Sequence, residues 1–206
     1  MTYILSGFRT PKPGKAKDLI NASVDFYKSN NLAGMVTVNS EMPSVNTHRL
    51  VADADSIESL HDAFELGTIP GQETLAGLES LTTSGTRYII RERIAPLGAD
   101  YAPNDDPKYM LRIILDAKVG LGPELLDVVL SNHERLGGPV NVTAKAGSLQ
   151  RIILSRPLAH FSDVTKARDV NQAIAGMKQQ GMVSWNHLCE SVERRVGRIA
   201  YMKRST

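Results

Sequence analysis

The chain reads as though it begins twice. Tyr109–Leu130 (YMLRIILDAKVGLGPELLDVVL) follows the pattern of Tyr3–Val24 (YILSGFRTPKPGKAKDLINASV) at a constant offset of 106 residues, the distance from Tyr3 to Tyr109. Leu5 then meets Leu111, Gly14 meets Gly120, Leu19 meets Leu125 and Val24 meets Leu130. One offset spans a strand, a turn and a helix. Downstream, GMVTVNS from Gly34 matches GPVNVTA from Gly138 at 104, and HRLVAD from His48 matches QRIILS from Gln150 at 102. Each drop falls between elements, where short deletions are best tolerated. The pattern predicts two similar units, residues 1–95 and 108–206, joined by a linker over 96–107 that holds Pro96, Pro103 and Pro107 and little that could pack.

Within each half the periods name the elements. Residues 2–9 alternate as a strand, and TPKPG turns the chain into a helix over 15–30 carrying Leu19, Ile20, Ser23 and Tyr27 at helical spacing. Strands over 34–40 and 47–53 follow, separated by the breaker-rich EMPSV. Asp55 or Ser56 is the expected N-cap of a second helix. A short helix near 71–82 precedes the strand TRYIIRERI, and the second half closes through VGRIAYMK at 196–203. The order β-α-β-β-α-β predicts an α+β fold of two tandem ferredoxin-like units. One such unit leaves a face of its antiparallel sheet bare, so two copies are expected to pack sheet-to-sheet.

Composition removes several classes of partner. With 24 basic and 22 acidic side chains and a formal net charge of +2, the chain lacks the field that gathers nucleic acid or anionic membrane. The same element order describes an RNA-recognition motif, but the third strands THRLVAD and LQRIILS hold no aromatic side chain on which a base could stack. A single cysteine, Cys189, and an N-terminus without a basic, then apolar, leader predict a cytoplasmic chain. Five dispersed histidines without paired spacing predict no zinc site, and no glycine-rich phosphate loop or nucleophile elbow follows a strand.

The element order, the repeat and the extra short helix resemble the dimeric α+β barrel superfamily, which includes antibiotic-biosynthesis monooxygenases, NIPSNAP-like proteins and several haem-using relatives. That resemblance implies an intrachain version of a barrel those families usually build as homodimers, with a ligand cavity between the two sheets. It implies a small-molecule enzyme of aromatic or polyketide-type metabolism, a cofactor-independent monooxygenase or cyclase. Haem binding and a non-catalytic ligand-binding or assembly role are the alternatives, and further association into a homodimer stays open.

Candidate residues follow from strand parity, although parity alone does not say which face lines a cavity. Arg112 shares a face with Met110 and Ile114, while Arg49 and Arg151 occupy matching places in the two third strands. A guanidinium fork suits a carboxylate, phenolate or enolate; the competing reading is an arginine paired with a carboxylate such as Asp53 or Glu92. Arg49, Arg112 and Arg151, with His187, form the expected catalytic set, and Tyr88, Trp185 and His48 the expected substrate-binding set. His48 and Arg49 are adjacent in a strand, so only one of them can face any one cavity. Trp185, Asn186, His187 and Cys189 crowd a short helix expected before the last strand. His133, opposite Tyr27 at offset 106, is the cofactor ligand under the haem alternative, since several relatives hold haem through a helical histidine.

Overall fold

A computed structural model describes residues 2–39, 44–66, 72–103, 106–166 and 183–203. The elements are β1 (Tyr3–Arg9), α1 (Ala16–Ser29), β2 (Gly34–Asn39), β3 (Ser44–Val51), α2 (Ala54–Glu65), α3 (Gln72–Ser80), β4 (Arg87–Ala95), a 3-10 turn (Ala99–Tyr101), β5 (Tyr109–Ala117), α4 (Gly122–Arg135), β6 (Asn141–Lys145), β7 (Ser148–Leu158), α5 (Phe161–Lys166) and β8 (Cys189–Lys203). The protein mixes helices with antiparallel strands. It divides into two compact units, Met1–Glu92 with Gly197–Thr206, and Arg93–Val196. The division falls inside β4 and β8, whereas the sequence reading ended the first unit at residue 95 and assigned all of 108–206 to the second. Strand pairing accounts for the difference, because the end of β8 lies along β2, with Gly34 opposite Lys203 and Asn39 opposite Gly197.

In the first unit β1 lies between β4 and β3, β2 flanks β3, and the end of β8 flanks β2. Residues 19, 23 and 27 of α1 are buried, one face of a 3.6-residue period. Leu19 and Tyr27 pack with Val36, Val45 and Leu78. The helix stops at Asn30 and Asn31, the latter at φ 53, a left-handed conformation that asparagine tolerates. In the second unit the strand order is β8-β5-β7-β6-β4. Leu125 and Val129 of α4 pack on Leu115, Val142, Ile152 and Leu154, a hydrocarbon core to which each fully buried leucine contributes about 2 kcal/mol. The helix ends at Gly137 (φ 70), where a side chain would strain the left-handed turn. Both α1 and α4 begin and end at the 106-residue offset.

Two expectations change. Asp53, one residue outside α2, is the cap: its Oδ1 accepts from the Ser56 backbone N–H at 2.8 Å and the Ser56 hydroxyl at 2.6 Å. Those bonds, the side-chain one first, hold the Asp53 carboxyl below its ordinary range and occupy a group that the sequence reading offered to an arginine. The linker is also fastened. Gly98 N–H donates to Gly138 O at 2.7 Å, Leu97 N–H to Asn141 Oδ1 at 3.1 Å, and the Tyr101 hydroxyl to Leu136 O at 2.6 Å. Few apolar side chains are needed, because backbone groups, the Asn141 side chain and the C-terminal end of α4 supply the partners. No helix among the described residues is long and apolar enough to cross a membrane.

Candidate functional site

Packing against α1 and α3 decides which strand parity faces the helices in the first unit. Val36 and Val45 touch that helical core. The register places Val36 opposite Thr47, Val45 opposite Arg9, Gly7 opposite both Thr47 and Tyr88, and Leu5 opposite Arg49. Arg9, Thr47, Tyr88 and Arg49 therefore share the helix-facing side with Tyr27 of α1. Arg9 is 3% exposed, Thr47 7% and Tyr27 3%, while Tyr88 is 39% exposed and forms the wet edge of the group.

Hydrogen bonds join these side chains into one cluster. Arg9 Nη1 donates to Thr47 Oγ1 at 3.2 Å and Nη2 to Tyr88 Oη at 3.1 Å, and Arg9 Cζ lies 5.9 Å from the Tyr88 ring centroid. Tyr27 lies where Thr47, Arg9 and Arg49 all act on its hydroxyl. Beneath them Gly7 leaves the space: a Cβ there would come within 2.8 Å of Thr47 Oγ1 and 3.3 Å of Arg9 Nη1. Burial raises the Tyr27 hydroxyl well above its ordinary phenol value, overriding the Thr47 hydrogen bond and the charges of Arg9 and Arg49. Tyr27 thus stays a neutral phenol at physiological pH, able to donate or accept a hydrogen bond but not to serve as a base. The guanidinium supplies a fixed positive charge in the cluster.

Arg9 is unusual for a buried ion. Its Nε is buried with no hydrogen-bond partner, and among the described residues no carboxylate pairs with it. Such a group is costly to bury alone.

Of the residues singled out in the sequence, Tyr88 enters this cluster directly, and Arg49 enters it as a charge acting on Tyr27. His48 takes the opposite sheet face, with Nδ1 3.0 Å from Ser6 Oγ and its ring edge-on to Phe8 at 6.2 Å. In the second unit Leu115 and Leu154 pack under α4, so Arg112, of the other parity in β5, faces away from that helix beside Met110 and Ile114, at 9% exposure. Arg151 is held outside any cluster of this kind: Nε donates to Asp116 Oδ1 at 2.5 Å and Nη2 to Oδ2 at 3.1 Å, and Ser191 Oγ donates to the same Oδ2 at 2.8 Å. Nor does it match Arg49 in register. Arg49 lies opposite Leu5, whereas the corresponding Leu111 lies opposite Arg156. The tight β6–β7 connection and the longer β7 shift the pairing away from the offset of 102.

Trp185 packs against the core of the second unit, and the exposed His187 sits in a turn rather than a short helix. His133 Nε2 lies 3.1 Å from Pro96 O and 2.9 Å from Val140 O. Both partners are acceptors, so Nε2 carries the proton and has no lone pair to offer a metal. Through Nε2, His133 ties the linker to α4. Among the described residues no three His, Cys, Asp or Glu side chains come together as a metal cluster.

No protein-family model and no curated protein matches the chain. Solved structures do. A candidate monooxygenase from Fusobacterium nucleatum subsp. nucleatum superposes with a TM-score of 0.74 at 9% identity, over 99% of this chain and 94% of that one. An anthrone oxidase-like protein gives 0.65 at 13% identity, over 97% and 91%. A mutant chlorite dismutase from Candidatus Nitrospira defluvii gives 0.56 at 10%, over 97% and 92%. The chain has their fold. These neighbours are of the dimeric α+β barrel type, and at such identities the likeness is one of architecture.

Arg9, Thr47 and Tyr27 do not stand out as a cluster in the sequence. The one signal in β1 is that Arg9 shares the parity of Leu5 and Gly7. Only the register joins it to Thr47 and Tyr88.

Proposed function

We propose that the chain is a small-molecule enzyme of the cofactor-independent monooxygenase kind, acting on an aromatic, enolisable substrate at the helix-facing cluster of the first unit. The two units are tandem ferredoxin-like copies in this reading, supported by the matching strand orders β4-β1-β3-β2 and β8-β5-β7-β6 and by first helices at the same offset. The observation that carries the function is the grouping of a buried guanidinium with two phenols and a threonine hydroxyl at the partly open Tyr88 edge. Fixed donors in a poorly hydrated site favour the electron-rich, deprotonated form of a substrate over its neutral form. Such an anion can reduce oxygen itself: a methylene between two aryl rings becomes a carbonyl, with one oxygen atom in the ketone and the other in water. The anthrone oxidase-like neighbour supports that class of substrate. A cyclase acting on a similar enolate would use the same donors.

Oxygen uptake with 1,8-dihydroxyanthrone tests the proposal. One oxygen consumed per ketone formed is expected, above the spontaneous rate and without added cofactor, with a loss of about 100-fold in Arg9→Met, in the range seen when a donor to a developing oxyanion is removed. Uptake no faster than the buffer blank would sink it.

A further inference from the structure

We infer that the first unit is a charge-selective receptor: it takes its ligand as an anion, with a carboxylate, enolate or phenolate oxygen seated on Arg9 Nε. This deepens the proposed function by naming the ionic state and the contact atom, and its binding claim rests on that reading only for where the substrate sits. Three observations converge. Arg9 is 97% buried by its 3% exposure, and its terminal nitrogens each donate to a neutral hydroxyl, at 3.2 and 3.1 Å, so no negative charge answers it among the described residues. The Nε–H is buried and unused. A guanidinium presents its donors in a fixed planar fork, so the vacant Nε–H and the terminal groups together match an oxyanion better than they match a neutral carbonyl.

The surroundings support a ligand rather than a missing protein partner. Thr47 and Tyr88 hold the guanidinium in place from two directions, and a side chain at position 7 would press on both Thr47 and the guanidinium. Tyr27 and Tyr88 add rings beside the charge, and the 39% exposure of Tyr88 gives the cluster an edge open to solvent. Arg49, the other cation acting on this group, raises the local positive potential. At the corresponding place in the second unit stands Leu115, fully buried in hydrocarbon, so the charge is a local feature and not a requirement of the layout.

The test compares 2-naphthoate with 2-naphthamide, which share shape but not charge, on the full chain. Calorimetry is expected to show the carboxylate binding at least tenfold more tightly than the amide, and thermal melts to show it raising the midpoint, because a ligand that binds only the folded state stabilises it. Arg9→Met should abolish the preference, and Arg9→Lys should keep part of it, since the charge remains but the fork is lost. Equal binding of acid and amide, or a preference that survives Arg9→Met, overturns the inference. Should Arg9→Met fail to fold, the Arg9 Nε–H resonance of the wild-type protein decides: it must move with 2-naphthoate and stay with 2-naphthamide, and a resonance indifferent to both overturns the inference. The two proposals fail separately. Charge-selective binding without oxygen uptake removes the monooxygenase and leaves the receptor, whereas uptake without charge selectivity does the reverse.

Discussion

The two units use one layout to different ends. Under α4 the second unit is filled with hydrocarbon: Leu115, Leu125, Val129, Val142, Ile152 and Leu154 form a continuous cluster. Under α1 the first unit has a smaller apolar cluster, and beside it stand Arg9, Thr47 and Tyr27, where the offset of 106 puts Leu115 opposite Arg9 and His133 opposite Tyr27. A buried cation beside two phenols contributes less to folding than leucine does, so the two units differ in how much stability each draws from the layer beneath its first helix. Under our proposal, the second unit scaffolds and the first one recognises.

Exchanging the two residues should break the comparison most severely. Leu115→Arg places an unpaired charge at a site of 0% exposure and should abolish cooperative unfolding, while Leu115→Ala should lower the unfolding free energy by about 3 kcal/mol in urea melts. Arg9→Leu should leave stability within about 1 kcal/mol of wild type, or raise it, because the charge it removes has no protein counter-ion among the described residues. A large destabilisation by Arg9→Leu would mean that Arg9 holds the fold rather than a ligand.

Next in size is Gly7→Ala, whose methyl would press on Thr47 Oγ1 at 2.8 Å; it should cost about 1–2 kcal/mol and weaken 2-naphthoate binding together with it. His133→Ala should cost about 1 kcal/mol by freeing Pro96 O and Val140 O, and hydrogen exchange should rise at Gly98 while the first unit is unaffected. The smallest effect belongs to the exposed Arg151–Asp116 pair. Its hydrogen bond to Arg151 holds the Asp116 carboxyl below the usual carboxylate range, so its contribution is present above the unfolded value and is lost as pH falls through the lowered folded one. Asp116→Asn should flatten that acid limb and change stability near neutral pH by less than about 1 kcal/mol.

Much of this architecture is legible in the chain. Leu19, Ser23 and Tyr27 announce α1, and the match to Leu125 and Val129 places α4 at the same offset, because helical burial follows a local period. The arginines are less legible. Arg49 and Arg151 align by residue pattern, yet Arg151 is bound to Asp116 and the register partner of Leu111 is Arg156, since a hairpin connection of different length slides every pair downstream of it. Asp53 looked like a counter-ion and is a helix cap; the capping bond spans three residues, but its competition with an arginine is a matter of tertiary distance. His133 and Trp185 have compositions that suit a site, and their neighbours turn out to be backbone carbonyls and a packed core.

Element order and the sorting of residues by parity are legible in the chain because both depend on backbone periods that operate over a few residues, and the repeat is legible because it recurs at a constant offset. Packing settled what remained. Alternation sorts Arg9, Thr47 and Arg49 from Ser6 and His48 without saying which set lies beneath the helices, and that choice belongs to the packing of Leu19 and Tyr27 against Val36 and Val45. Once the helix settles on one face, residues 38 and 79 positions distant from Arg9 become its hydrogen-bond partners, and an arginine at the end of a strand becomes the charge at the centre of a buried polar cluster.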